Sequence, residues 1–256
     1  MDYQHFRVEI ADHVATITFE NPPVNAVNVQ VRAELPEVFR NTGHNPDVRV
    51  VIFTAAGERA FCGGTDVREF GQFKGAAREA REIKWREGLN AIHHCAVPVI
   101  GAINAPALGA GLAMASCCDI LIASEKAVFG LPEIRVGALG GGRHLARLVP
   151  EMVMRRMMFT GVRLSAREMA QYGAVSRVVP PEELLPAARA LATEIAGFAP
   201  LALRLGKESL NRTEFMPMEE GYKVEQTFTA RLQETEDALE ARTAFLEKRA
   251  PVFKGR

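Results

Sequence analysis

Up to about residue 180, apolar residues fall in short strand-length runs separated by stretches with helical spacing. HFRVEIADHVATITFE, residues 5–20, alternates around Val14, Thr16 and Thr18 and predicts a two-stranded hairpin. NVQVRAELPEVFRN, 28–41, predicts a helix, with Pro36 well inside it as the local objection. VRVVIFTA (48–55) reads as a buried strand, AREAREIKWREGLNAIHHC (77–95) as an amphipathic helix, and VPVIGAIN (97–104) as another strand. A helix through the Gly-Ala segment that follows, then strands in DILIAS (119–124) and AVFGL (127–131), continue the alternation. From residue 181 the pattern is almost only helical: 181–196, 201–211, and one long charged helix over about 218–249. This predicts an α/β core of strand-strand-helix units, residues 1–197, followed by a helical region, 198–256, suited to subunit contacts and to covering a site.

Composition narrows the class. NAPALGAGLAMASCCD, 104–119, is interrupted by Pro106 and closed by Asp119, short of the ~20 apolar residues a membrane span requires. The first residues lack the basic start and apolar core of a secretion signal, so a cytoplasmic protein without membrane contact is expected. Lys plus Arg equals Asp plus Glu at 31 each, so no net field favours nucleic acid. Cys62, Cys95, Cys117 and Cys118 have neither zinc-type spacing nor a disulfide framework, and read as buried thiols. No ligand cluster or dinucleotide fingerprint appears, so neither metal nor redox cofactor is expected.

The Gly-Ala segment follows its strand through the tight connection APALG, which makes Gly109, Ala110 and Gly111 a helix N-terminus. Such an end carries N–H groups with no helical partner, and small residues let a ligand oxygen approach them. Tight helix–sheet packing is the plain alternative. ERAFCGGTDVREF, 58–70, repeats the arrangement: a strand, then Gly63 and Gly64, then a helix-like segment that Thr65 or Asp66 would cap. Two bare strand-to-helix turns can aim two N–H donors at one oxygen, which is what a developing oxyanion requires.

These residues carry a resemblance to the crotonase superfamily, the enoyl-CoA hydratase/isomerase family. The similar pieces are NPPVNAV (21–27), AFCGGTDV (60–67), PVIGAINAPALGAGLAMASCCDILIAS (98–124), FGLPEIRVG (129–137), TGVRLSAREMAQYGAVSRVV (160–179) and FLEKRAPVFKGR (245–256). The resemblance implies a crotonase-like spiral of ββα units with a helical C-terminal region, assembled as a homotrimer or homohexamer. It implies an acyl-CoA thioester substrate, with coenzyme A belonging to the substrate, and an enolate held in an oxyanion hole. Its donors would be the N–H groups of Gly63 and Ala110. Val24 and Ala26 would touch CoA; Cys62, Gly64, Thr65, Asp66, Gly109, Ala113 and Gly141 would line the substrate; Phe253 and Lys254 would reach the nucleotide. Lys248, Arg249 and Arg256, with Lys74, Arg78 and Arg81, are further cations for its phosphates.

Glu133, after Pro132 among apolar neighbours, is the expected acid/base; desolvation should raise its pKa toward neutrality. A helix-cap or surface salt-bridge role is the alternative reading of the same residue. The family's hydratases usually carry a second glutamate where this chain has Ala113. That departure leans the reading toward double-bond isomerisation or a specialised hydratase or lyase reaction, with an ordinary 2-enoyl-CoA hydratase as the alternative. Arg143 and His144, in ALGGGRHLARL, bring polar groups to a helix start, and His144 is a possible second acid/base against a plain capping role. His93 and His94 are adjacent, so at most one can face a site. A catalytically silent CoA-ester binder or an RNA-binding relative is the non-enzyme alternative; retention of Glu133 and the zero net charge disfavour them.

Overall fold

The computed structural model describes residues 2–69 and 71–256; Phe70, at the end of ERAFCGGTDVREF, lies outside them. The strands are β1 (Phe6–Ala11), β2 (Val14–Phe19), β3 (Val50–Ala55), β4 (Val99–Ile103), β5 (Ala107–Leu108), β6 (Ile120–Ser124), β7 (Val128–Gly130), β8 (Arg163–Ser165) and β9 (Arg177–Val179). The helices are α1 (Val29–His44), α2 (Gly75–His93), α3 (Ala110–Ser116), α4 (Gly142–Leu145), α5 (Glu151–Thr160), α6 (Ala166–Gln171), α7 (Leu184–Ala196), α8 (Pro200–Thr213), α9 (Met218–Gln233) and α10 (Glu236–Glu247). β1 and β2 form the expected antiparallel hairpin, with Phe6 opposite Phe19. β3, β4, β6 and β9 then join in parallel, in the order β1-β2-β3-β4-β6-β9, while β5-β7-β8 make a second small sheet.

Period-two alternation sorts the main sheet into two covered faces. Val14, Val50, Ile52, Ile100, Ala102 and Ile122 pack under Leu184, Ala187, Ala188 and Ala192 of α7. Ala15, Ile17, Phe19, Val51, Phe53 and Ile103 point the other way, into the main core with α1, α3 and the loops of the site. Phe53 meets Phe39 edge-on at 5.1 Å and Phe61 at 5.3 Å, tying helix, strand and first loop together. Truncating such a ring to alanine costs about 3–5 kcal/mol.

One expectation holds against its local objection and two change. α1 runs through Pro36, because Asn28 caps its start and Val31, Leu35, Val38 and Phe39 are buried. The long C-terminal helix is two: the Thr235 hydroxyl accepts from the Ala238 N–H at 3.1 Å and starts α10 afresh. The first glycine loop enters only a 3-10 turn, Val67–Glu69, and α2 begins later. The C-terminal tail is pinned by the buried Asp237, whose carboxylate accepts from the N–H groups of Lys254 (2.7 Å) and Gly255 (2.8 Å). Among the described residues no helix is long and apolar enough to cross a membrane.

Candidate active site

The two bare turns do meet. Leu108 N–H donates to the Cys62 carbonyl at 2.9 Å, and Cys62 N–H to the Pro106 carbonyl at 3.2 Å. The Cys62 carbonyl sits 2.5 Å from where a Cβ on Gly111 would stand, so only glycine lets α3 close on the first loop. Gly109 has a positive φ (+55°) and caps the start of α3; a Cβ there would overlap Glu133 Oε1. The small residues of GAG thus have separate reasons: one for helix–loop closure and one for a carboxyl group. Packing and site explain different glycines of the same segment.

Beside this junction lies a cavity of about 1000 Å³. Its floor is Gly63, Gly64, Thr65, Gly109, Ala110 and Ala113; Pro132, Glu133, Gly140, Gly141 and His144 form one wall. Arg32 of α1 and Arg78, Arg81, Glu82, Trp85, Arg86 and Leu89 of α2 form another. The Glu133 carboxyl is wedged between glycines: a Cβ on Gly140 would stand 2.5 Å from Oε2 and 2.9 Å from Oε1. Oε2 is buried with no hydrogen-bond partner among the described residues. Burial raises the pKa, opposed only by the residue's own backbone N–H. Among the described residues no cation is close enough to hold the carboxylate form, so the surface salt-bridge alternative falls away. His144, on the same wall, is pulled the other way, its pKa lowered by burial and then by Arg147 and Arg143.

The donor expected at Gly63 is a correction. Its N–H already donates to the Val24 carbonyl at 2.8 Å. The loop instead makes an isolated parallel bridge between Val27 and Thr65, using the Gly64 carbonyl and the Asp66 N–H. That leaves the Thr65 N–H pointing away from Val27 with no acceptor among the described residues. Thr65 and Ala110, the latter the first and unpartnered N–H of α3, are therefore the two donors on the cavity floor.

Other expected ligands stand elsewhere. Cys62 is buried, its thiol pushed up to about 12 by desolvation, and it does not line the cavity. Asp66 caps the 3-10 turn: its carboxylate accepts from the Arg68 N–H at 3.0 Å and pairs with the Arg68 guanidinium at 2.6 Å. Val24 and Ala26 lie behind the first loop, engaged by Gly63 and by the Asn21 side chain. Phe253 and Lys254 are off the cavity with the pinned tail, and no residue of 198–256 lines it. Arg249 is tied to Glu240 and Glu247, and Arg256 to Glu236, so these cations are engaged within the tail. His93, half-buried and with its pKa pulled down to about 4 by desolvation, lies beside Glu214 and edge-on to His94 at 4.7 Å, and neither ring lines the cavity.

Arg32 is the residue that sequence reasoning missed. Only 3% exposed, it lies over the Trp85 ring at 5.1 Å and donates to Thr65 Oγ1 at 3.2 Å. Its Nε and Nη1 have no hydrogen-bond partner among the described residues, and burial, then the nearby Arg81, pull it down to about 10. The available signal was an arginine three residues before Leu35 on the buried stripe of α1. At the rim, Arg78 and Arg86 are exposed and make no ion pair among the described residues, whereas Arg81 pairs with Glu69 (3.2 Å) and Glu82 (2.9 Å).

An α/β fold with two unpartnered backbone N–H groups and a desolvated carboxyl on one cavity suits the transfer of a proton beside a developing oxyanion. The chain matches the enoyl-CoA hydratase/isomerase family over residues 9–256 and belongs to it. It is 37% identical to the (E)-benzylidenesuccinyl-CoA hydratase of Thauera aromatica, over 97% of this chain and 98% of that protein. It is also 37% identical to the carnitinyl-CoA dehydratase of Proteus mirabilis, over 95% of each. The crystal structure of an enoyl-CoA hydratase from Bacillus anthracis superposes with a TM-score of 0.93 at 32% identity, covering 99% of this chain and all of that one.

Proposed function

We propose that the chain adds water to, or eliminates it from, an acyl-CoA thioester through a thioester enolate. The Thr65 and Ala110 N–H groups hold the enolate oxygen, and the Glu133 carboxyl delivers or removes the α-proton. The observation that carries this is the Glu133 carboxyl itself, desolvated between Gly109 and Gly140 beside the start of α3. Each backbone donor contributes roughly 3 kcal/mol to an oxyanion transition state, and the proton carrier about 10²-fold or more. Arg78 and Arg86 at the rim suit the phosphates of CoA.

The water chemistry, rather than isomerisation alone, is supported by the hydratase and dehydratase names of the relatives. Double-bond isomerisation is the second reading, favoured by Ala113, which offers no second carboxylate. Exposed apolar side chains on the last helices, among them Met218, Phe245 and Leu246, support assembly as a homotrimer or homohexamer, which light scattering after size exclusion reads directly. Four free, buried cysteines fit a reducing cytoplasm.

The test is a panel of 2-enoyl-, 3-enoyl- and 3-hydroxyacyl-CoA esters with wild type and Glu133→Gln. Turnover of at least one ester by wild type is expected, lost by 10²-fold or more in the variant while CoA-ester binding survives. Near-normal kcat in the variant rules Glu133 out as the proton carrier.

A further inference from the structure

We propose that His144 is the second catalytic residue of this water chemistry, taking the proton of the attacking water where the chain supplies no carboxylate at Ala113. The inference rests on the enolate reading above and assigns the group that reading leaves open. The position is defined by Gly141. A Cβ built there would stand 3.2 Å from the Ala113 Cβ and 3.5 Å from His144 Nδ1. The imidazole therefore borders the volume into which a longer side chain at 113 would project. The next residue back, Gly140, is the one against which the Glu133 carboxyl rests. Adjacent glycines thus carry the two titratable groups of this wall, one on each.

His144 is also unengaged. No hydrogen bond or ion pair of its ring exists among the described residues, although it lines the cavity. Its cationic neighbours are directed elsewhere. Arg147 pairs with Glu214 at 2.7 Å and donates to the Ser116 carbonyl; Arg143 lies over the Phe215 ring at 4.7 Å. α3 presents Ala113, and α5 presents Met154 and Met158 beside Gly142, so neither brings a charge to that face. Glu133 and Arg135 are the other ionisable groups on this side of the cavity, and the Arg135 guanidinium donates to the Gly161 carbonyl at 3.4 Å.

The resting protonation states match the task. Burial favours a neutral carboxyl on Glu133 and a neutral ring on His144. In hydration, a His144 nitrogen accepts a proton as the water oxygen bonds to the β-carbon. The C=C electron pair moves into the thioester, whose oxygen is held by Thr65 and Ala110. The enolate then takes the Glu133 proton at the α-carbon. The product is the 3-hydroxyacyl thioester, with imidazolium and carboxylate left behind. Return of one proton from His144 to Glu133 through solvent restores both.

The experiment compares wild type with His144→Gln in two reactions. One is hydration of crotonyl-CoA and cinnamoyl-CoA; the other is α-proton exchange of butyryl-CoA and 3-phenylpropanoyl-CoA in D2O. Exchange needs Glu133 but adds no water. The expected result is hydration lowered by about 10²-fold with exchange within twofold of wild type. Equal loss in both reactions marks a structural role and overturns the proposal, as does no loss in either. If the variant melts well below wild type, wild-type pH profiles decide. Hydration should be bell-shaped, falling on the acid side as His144 protonates and on the alkaline side as Glu133 ionises; exchange should only rise with pH. A hydration profile without the acid limb overturns the proposal. Wild type that exchanges but hydrates neither probe overturns it too and leaves the enolate reading standing; failure of both reactions removes both.

Discussion

Gly140→Ala asks whether the Glu133 placement is the reactive one. The new Cβ would stand 2.5 Å from Oε2, 2.7 Å from Cδ and 2.9 Å from Oε1, where ordinary contact begins near 3.4 Å. The carboxyl must therefore retreat by about 1 Å, and a misplacement of that size costs about 10²-fold in rate. This is about 2.7 kcal/mol of barrier. Gly140 is not in the left-handed region, so the backbone accepts alanine without strain. The loss should therefore fall on kcat, with Tm within a few degrees of wild type and the Kd for butyryl-CoA little changed. Steady-state kinetics on the best ester of the panel, with thermal melting and calorimetric binding, reads all three. A folded Gly140→Ala protein with wild-type kcat would refute the argument, because the carboxyl would then be active from a second position.

Three further outcomes follow from the same geometry. Glu133→Gln should melt above wild type near pH 8, since burial disfavours the ionised carboxylate and native stability falls as pH rises through its raised pKa. Below about pH 4, where the carboxyl is neutral in both states, that advantage should vanish; a pH-independent difference in Tm contradicts the cause given. Thr65→Pro removes the free N–H but leaves the Val27 bridge, which uses residues 64 and 66, and should lower kcat/KM by about 10²–10³-fold. Thr65→Val keeps the N–H and loses only the Arg32 bond, so it should stay within tenfold; the reverse order would move the oxyanion donor elsewhere. Gly206→Ala, inside α8 with nothing within 4 Å of the added methyl, should gain about 0.5–1 kcal/mol in denaturant melts without touching activity.

The strands and helices of the core were legible because their periods are clean: Val50 and Ile52 face α7 while Val51 and Phe53 face the main core. β5, β8 and β9 were not, since two or three residues carry no period, and the short helices α5 and α6 also went unread. Glu133, Ala110, Gly109, Ala113, Gly141 and His144 were readable from motif order, and the structure brings them to one cavity. The first-loop donor was displaced by two residues, from Gly63 to Thr65. Which N–H stays free depends on the register of the bridge with Val27, and nothing in FCGGTD encodes that register locally. Val24, Ala26, Cys62 and Asp66 were adjacent in sequence to the loop and engaged behind it. Arg32 belongs to a distant helix, so only tertiary packing places it over Trp85.

α2 is fastened unequally along its length. Its C-terminal end buries Gly88, Leu89, Ala91 and Ile92, whereas every residue from 75 to 80 is exposed. Between them, Arg81 is tied to Glu69 and Glu82, and Trp85 lies under Arg32. The wall of the cavity on this side is therefore held by charge and one ring stack, while the floor on α3 is fully buried. Local opening thus costs least over 75–80 and most on α3. Amide exchange should be fastest over 75–80, slower over 81–86, where the Arg81–Glu69 pair and Trp85 hold the helix, and slowest over 110–116. The first turns of α2 can then change which acyl groups are admitted without disturbing α3. Tolerance toward substrate shape and the power of the chemistry beneath rest on separate parts of the chain.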